Sequence, residues 1–359
     1  MALRGWRGGF VACVLSMVIG CGGEGASERE PLIPVDPNAV GSSGGGSGWQ
    51  PPESPELGTP VALHGQLSVV DGALVDASGA PVQLKGVSTM WLNWEQSYAS
   101  SKEGLLWLRD NWGLSVIRAA MGIEPANAYL NNPSGMANNV RTVVRNAIDL
   151  GVYVIIDWHD HNAQLHQQQA TNYFAAAAAE FGSYPNVLWE TYNEPERVDW
   201  GTVVKPYHEA MTAVIRERDP DNIIILGTPL WSQRVDLAAT NPVAGTNLMY
   251  TVHFYSCEHR GTQRAQALAA RQLGLPLFVT EWGATAANGG TDPNGEVCEE
   301  EGQLWHDFMN QEGISWAAWK LDDCADLSCL LRVSAPRVGG WTDEWLNGHG
   351  PFVRARMMD

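Results

Sequence analysis

The stretch Val140-Arg-Thr-Val-Val-Arg-Asn-Ala-Ile148, closed by Gly151 and followed by Val152-Tyr-Val-Ile-Ile156, holds the fold in miniature. Val140, Val143, Val144, Ala147 and Ile148 recur at i, i+3, i+4, i+7 and i+8, the apolar face of a helix, and Gly151 supplies its carboxyl-terminal stop. The apolar run after it does not alternate, as expected of a strand buried on both faces of a parallel sheet. Ile223-Ile-Ile-Leu226 is a second such run, and Tyr207, Met211, Val214 and Ile215 repeat the helical face before Asp219-Pro220. Working outward, apolar runs begin near Val82, Val116, Val152, Val187, Ile223, Leu248, Leu277 and Ile314. Each interval has room for one strand, one helix and two loops. Eight such units in one domain predict the α/β class and a (β/α)8 TIM barrel. A doubly wound open sheet is the competitor, but the first turn has no Gly-x-Gly-x-x-Gly.

The chain has 359 residues, 22 Lys+Arg against 40 Asp+Glu, and a formal net charge of −18. At 45 % hydrophobic and 17 % charged residues it is too apolar for a disordered chain. The negative balance excludes a nucleic-acid partner, which needs Lys/Arg stripes. No run of 18 apolar residues exists to cross a membrane. Trp outnumbers Phe 16 to 7, an excess of flat faces that suggests a stacking surface.

Arg4 and Arg7 precede the apolar segment Phe10 to Ile19, the layout of a signal peptide over residues 1–20. Val18-Ile19-Gly20-Cys21 resembles the lipobox of bacterial lipoproteins, which implies lipidation of Cys21 and a membrane contact through that anchor alone. An ordinary cleaved leader is the alternative; both predict export. Residues 21–60 are rich in Gly, Ser and Pro and read as a flexible tether, leaving 61–359 as one catalytic domain, expected to be monomeric. Cys257, Cys298, Cys324 and Cys329 remain, enough for two disulfides in an exported chain. Cys324–Cys329 with Cys257–Cys298 is the simplest pairing. A zinc site is the weaker reading, since no Cys-x-x-Cys occurs.

In a barrel of this kind the reacting groups sit at the carboxyl ends of the strands. The runs end in Gly86 through Trp94, Arg118, Asp157-Trp158-His159, Asn193-Glu194, Thr228 through Trp231, His253-Phe-Tyr255, Glu281-Trp282 and Trp316 through Trp319. Glu194 and Glu281 are read as the only Glu residues at strand ends. Strands four and seven face each other across an eight-stranded ring. Two carboxyls so placed are what glycoside hydrolysis requires, one as acid and one as nucleophile or base. The bland alternative is that each Glu merely pairs with an Arg. Asp157, His159, Asp160 and His161 suggest a metal site, but none is expected, and no cofactor. Glu299-Glu300-Glu301 reads as the acidic first turn of a helix.

These residues carry a resemblance. Leu108-Arg-Asp-Asn-Trp-Gly-Leu-Ser-Val-Ile-Arg-Ala-Ala-Met121, Val154-Ile-Ile-Asp-Trp-His159, Tyr192-Asn-Glu-Pro195, His253-Phe-Tyr255 and Val279-Thr-Glu-Trp-Gly283 resemble bacterial endoglucanases of glycoside hydrolase family 5. So do Asp219-Pro-Asp-Asn-Ile-Ile-Ile225, Ile314-Ser-Trp-Ala-Ala-Trp319 and Gly339-Gly-Trp-Thr-Asp343. The resemblance runs from about His64 to the end of the chain. It implies a retaining double displacement on β-1,4-glucans, with Glu194 the general acid/base and Glu281 the nucleophile. It further implies that Asn193 bonds the sugar 2-hydroxyl, Arg118 keeps Glu281 ionised, and Tyr255 donates to Glu281. His159 and His253 would line the reacting subsite and Trp319 would floor it. Trp91, Trp94, Trp231 and Trp282, all near strand ends, are further candidates for stacking on sugar. Two loops depart from the family pattern: Ser88-Thr-Met-Trp-Leu-Asn-Trp94 lacks a His common in relatives, and Lys320 through Cys329 lacks a Lys at the matching place. The expected activity is therefore an exported endo-β-1,4-glucanase acting on a β-glucan. A mannanase, xyloglucanase or mixed-linkage glucanase on the same scaffold is the nearest alternative. A catalytically inactive surface glycan-binding lipoprotein is the alternative of another class.

Overall fold

The structure is a computed structural model that describes residues 48–288 and 295–359. The predicted leader, Cys21 and most of the tether lie outside the described residues. The barrel forms one compact unit, Gln50–Asp359. It begins before residue 61 because Arg109 reaches Glu56 at 3.1 Å and Thr59 packs, buried, against Gly151.

Eight parallel strands make the ring: β1 Lys85–Thr89, β2 Val116–Gly122, β3 Tyr153–His159, β4 Val187–Glu190, β5 Ile224–Leu226, β6 Leu248–Thr251, β7 Leu277–Gly283 and β8 Ser315–Leu321. They pair in chain order, and β8 pairs with both β7 and β1, which closes the barrel. Seven strands begin within one residue of the apolar runs. The first does not. Val82 and Leu84 lie below the ring, in a cluster with Leu67, Leu74, Tyr153, Ile225 and Phe278 that fills its amino-terminal end.

Part of that plug is a hairpin, Ser68–Val70 paired with Ala73–Val75, which the periodicity did not reveal. Its turn is Asp71-Gly72, both at positive φ, as a two-residue hairpin turn requires. A side chain at Gly72 would also stand 2.8 Å from the Gly274 carbonyl. The helix Pro133–Asp149 buries Met136, Val140, Val143, Val144, Ala147 and Ile148 against the sheet, and Asn132 caps it by accepting from Gly135. Gly151, at φ 64, follows it as expected.

The sulfurs pair Cys257–Cys298 and Cys324–Cys329, with Cα separations of 5.3 and 5.6 Å. The first closes the longer loop, so its loss should cost up to about 4 kcal/mol by loop entropy, against about 2 kcal/mol for the second. Urea midpoints of Cys257→Ser/Cys298→Ser and Cys324→Ser/Cys329→Ser proteins check this order. Equal midpoints would refute it.

Four histidines are buried neutral. Burial pulls His208 and His349 down to about 4 and His306 down to about 3, and holds His159 well below its ordinary value. In the unfolded chain each protonates near pH 6.5. Their contribution is therefore present above pH 6.5 and lost as pH falls toward 4, by about 1.4 kcal/mol per unit for each fully titrating imidazole. His253 works the other way: raised to about 9, it adds stability below pH 6.5 that disappears as pH rises through 9. Urea midpoints should fall steeply from pH 6.5 to 4.5. His306→Phe, which keeps the apolar packing on Trp282, Trp316 and Phe352, should flatten that fall. An unchanged slope would contradict the assignment.

Candidate active site

The carboxyl-terminal rim is organised around one guanidinium. Arg118 points inward from the middle of β2 and is fully buried. Its Nε donates to Glu190 at 2.6 Å, Nη1 to Glu281 at 3.1 Å, and Nη2 to Asn193 Oδ1 at 2.6 Å, with Asp157 2.9 Å from Nη2. A buried charge needs this saturation, because water is not there to replace it. Asn193 spends its oxygen on Arg118, leaving its buried Nδ2 without a partner in the chain. A donor is thereby left unspent beside Arg118.

Glu281 reaches the site through an irregularity. On β7, Val279 pairs with Trp316 but Trp282 with Ala318, so β7 carries one extra residue. Such a bulge re-aims side chains. Thr280 and Glu281 both reach the interior, where Tyr255 donates its hydroxyl to Glu281 at 2.7 Å. Tyr255 comes from a two-residue strand, Phe254–Tyr255, paired beside Trp282 and Gly283. Gly283 permits the approach: a Cβ there would stand 2.9 Å from the tyrosine ring.

Glu194 follows β4 and is held by two imidazoles. His253 Nδ1 is 2.9 Å from Oε1, and His161 Nε2 is 3.2 Å from Oε2. An oxygen of Glu194, an oxygen of Glu281 and a ring nitrogen of His253 lie within 4.8 Å of one another. His253 is anchored behind by Thr280 Oγ1 at 2.9 Å. His159 turns Nδ1 to Asp157 at 2.6 Å and stacks on Trp319 with centroids 5.4 Å apart. Trp319 forms a floor with Ala120 and Tyr255, against which Met90 and Trp91 pack.

Arg118 pulls the Glu281 carboxyl down, as expected, but it is outweighed. Burial and the charge of Glu194 push Glu281 up, against the pull of His253, Arg118 and Tyr255. Arg118 is shared among three carboxyls, so less of it is left for Glu281. Although burial works against it, the histidines hold Glu194 down to about 2. His253 is raised to about 9 by Glu190 and Glu194, and the Glu194 contact raises His161 as well. Both imidazoles are thus biased toward their protonated forms and Glu194 toward its carboxylate.

The walls are indole. Trp91 and Trp94 stack at 4.7 Å on one side, Trp94 with 57 % of its surface exposed. On the other, Trp231 borders a cavity of about 410 Å³ that contains Glu194, Glu281, His161 and His253. It sits in a turn where Leu230, Trp231 and Ser232 all adopt left-handed backbone, a strained arrangement that packed surroundings must hold. Leu230 and Trp231 donate backbone N–H groups to Glu196 and Pro195, fixing this wall to the Glu194 segment.

Two expectations need correction. Trp282 is fully buried on the outer side of the barrel wall, against Phe254, His306 and Trp316, and cannot meet a sugar. Glu194 is not at the strand end: β4 finishes at Glu190, whose carboxylate pairs with Arg118 and accepts from Thr280 at 2.6 Å. Glu190 is thus a strand-end Glu paired with Arg118 that the reading of the sequence passed over, and its signal is a charge inside an apolar strand. Asp160 does not converge with Asp157, His159 and His161; it accepts from Trp158 Nε1 at 3.1 Å and faces His166 at 2.8 Å. The other candidates, Arg118, His159, Asn193, Glu194, His253, Tyr255, Glu281, Trp319, Trp91, Trp94 and Trp231, gather on the rim.

A (β/α)8 barrel with two carboxyls this close on its carboxyl-terminal rim has the architecture of a barrel glycoside hydrolase. The cellulase family, glycosyl hydrolase family 5, matches residues 75–325, and the chain belongs to that family. Endoglucanase 5 of Pectobacterium carotovorum subsp. carotovorum is 43 % identical over 303 residues, 83 % of this chain and 59 % of that protein. An endoglucanase of Clostridium saccharobutylicum is 42 % identical over 82 % of this chain and 65 % of its own length. The chain thus spans roughly six tenths of the length of these relatives. The catalytic domain of Thermobifida fusca endoglucanase Cel5A superposes with a TM-score of 0.79 at 32 % identity, covering 84 % of this chain and 100 % of that one. A variant of that domain has been solved in complex with cellotetraose.

Proposed function

We propose that the protein is a retaining endo-β-1,4-glucanase. The observation that carries the reading is the approach of one oxygen of Glu194 and one of Glu281 to within 4.8 Å, in keeping with the ~5–5.5 Å between the carboxyls of retaining pairs and well short of the ~6.5 Å at which inverting pairs begin. Glu281 attacks the anomeric carbon to form a glycosyl ester while Glu194 protonates the leaving oxygen. Glu194 then takes a proton from the water that opens the ester. Tyr255 orients the nucleophile, and the free Nδ2 of Asn193 binds the 2-hydroxyl where the transition state strengthens that bond. Trp319 floors the reacting sugar, and Trp94 and Trp231 stack on neighbours along the chain. The cellotetraose complex of the Thermobifida relative supports a glucan in this cleft. Met90 and Trp91 pack against that floor, so glucan preference is set partly there.

Reducing-end release and viscosity loss on carboxymethylcellulose, β-glucan, glucomannan and xylan test the reading. Rapid viscosity loss on cellulosic substrates, with β-anomers formed first, is expected. No release from any glycan would end the hydrolase reading, and a preference for mannan would end the glucanase one. We further propose that the leader exports the chain and that Cys21 carries lipid. Labelled palmitate should enter the wild type and not Cys21→Ser.

A further inference from the structure

Resting on the hydrolase reading, a specific question remains: where is the proton kept that Glu194 must deliver? Both Glu194 oxygens face imidazoles, and the two imidazoles differ. His253 is sealed, its second nitrogen 2.9 Å from Thr280 Oγ1 and 3.9 Å from Glu190. Its proton is trapped among buried acceptors. His161 stands at the cleft, with 31 % of its side chain exposed, and its Nε2 lies 3.2 Å from Oε2 of Glu194. Its loop is pinned beneath it, since the Tyr192 hydroxyl donates to the His161 carbonyl at 2.9 Å.

We propose that His161 is a proton-holding and positioning residue for the general acid, sharing one proton with Glu194 across the Nε2–Oε2 contact. In the resting pair His161 is the imidazolium and Glu194 the carboxylate. As the glycosidic bond breaks, the proton passes from Nε2 to Oε2 and on to the leaving oxygen, leaving neutral His161. In the second half, Glu194 takes a proton from the attacking water and returns it to His161, so the cycle closes without net gain or loss. The charges facing His161 are Glu194 and Glu196 from the segment after β4 and Glu281 from β7, all of which favour the imidazolium, together with His159, whose ring centroid lies 6.3 Å away. Glu258 and His259 border the same cavity. The raised affinity of His161 for its proton agrees with this placement.

The pair, rather than Glu194 alone, then sets the alkaline limb of the pH profile. His161→Gln and His161→Asn keep an amide donor near the carboxylate but cannot store a proton. On β-glucan their kcat/KM should lose the alkaline limb by about one to two pH units while activity near pH 5 survives. On an aryl cellobioside whose leaving group needs no acid, the initial burst of aryl release should lose far less of its alkaline limb than hydrolysis of β-glucan does. An unchanged limb would reduce the contact to a structural hydrogen bond. A limb moved to higher pH would make His161 a simple cationic depressant of Glu194. Either overturns the proposal, as would equal losses on both substrates. A wild type inactive on every glycan would instead sink the hydrolase reading beneath it.

Discussion

Glu281→Ala should abolish glucan hydrolysis, lowering kcat by about 10⁵-fold, because no group remains to attack the anomeric carbon. The loss should be chemical rather than structural. Arg118 keeps Asp157 and Glu190 as partners, and removing one carboxylate relieves crowding around a single guanidinium. Thermal unfolding should therefore stay close to wild type. The vacated space beside the Tyr255 hydroxyl could admit a small anion. Azide should restore turnover of an activated glycoside and yield the α-glycosyl azide, the product of one displacement. The same assay on Glu194→Ala should give the β-azide, since Glu281 still forms the ester there. Activity within tenfold of wild type, or a β-azide from Glu281→Ala, would remove Glu281 from the nucleophile role.

The second large effect is on the fold as well as on the rate. Arg118→Met keeps the volume but strands Asp157, Glu190 and Glu281, all buried, without their shared cation. Breaking a buried ion pair from one side costs about 3–5 kcal/mol. The variant should unfold at markedly lower urea and lose catalysis through a misplaced Glu281. The pH dependence gives the mechanism away. The stranded carboxyls have raised folded pKa values, so they bind protons before the unfolded chain does. Acidification should then narrow the stability gap between wild type and variant. A gap that is constant with pH would point to lost packing instead. Arg118→Lys restores the charge but not the fork, and should recover stability better than activity.

Much of this site could be read in the linear chain, because barrel strands announce themselves as apolar runs and whatever ends each run lies on one rim. What the chain concealed was phase. Trp158, Trp282 and Trp319 all stand at strand ends, yet only Trp319 faces inward; Trp158 packs on Tyr129 and Tyr173, and Trp282 on His306. An alternating strand with Phe278 in the inner cluster and Thr280 inside should turn Glu281 outward. The extra residue of β7 decides otherwise, and no local pattern in Val279-Thr-Glu-Trp-Gly283 marks it. The end of β4 was misplaced for a related reason. Tyr192 and Asn193 look like a continuing strand, although pairing stops at Glu190. The plug hairpin stayed hidden because its strands are three residues each, too short for periodicity to register.

The bulge in β7 also fixes which changes of length the gene can tolerate. Loops beyond the rim can grow or shrink while the strands keep their phase. Deleting the codon for Thr280 would restore regular pleating with Glu281 still inward, but would draw it back by one residue, about 3.3 Å, into the place of Thr280, and would strip His253 and Glu190 of the Thr280 hydroxyl. Such a chain could still close a barrel, and would be sterile. For this catalyst, in-frame indels in one strand should be as lethal as loss of the nucleophile itself.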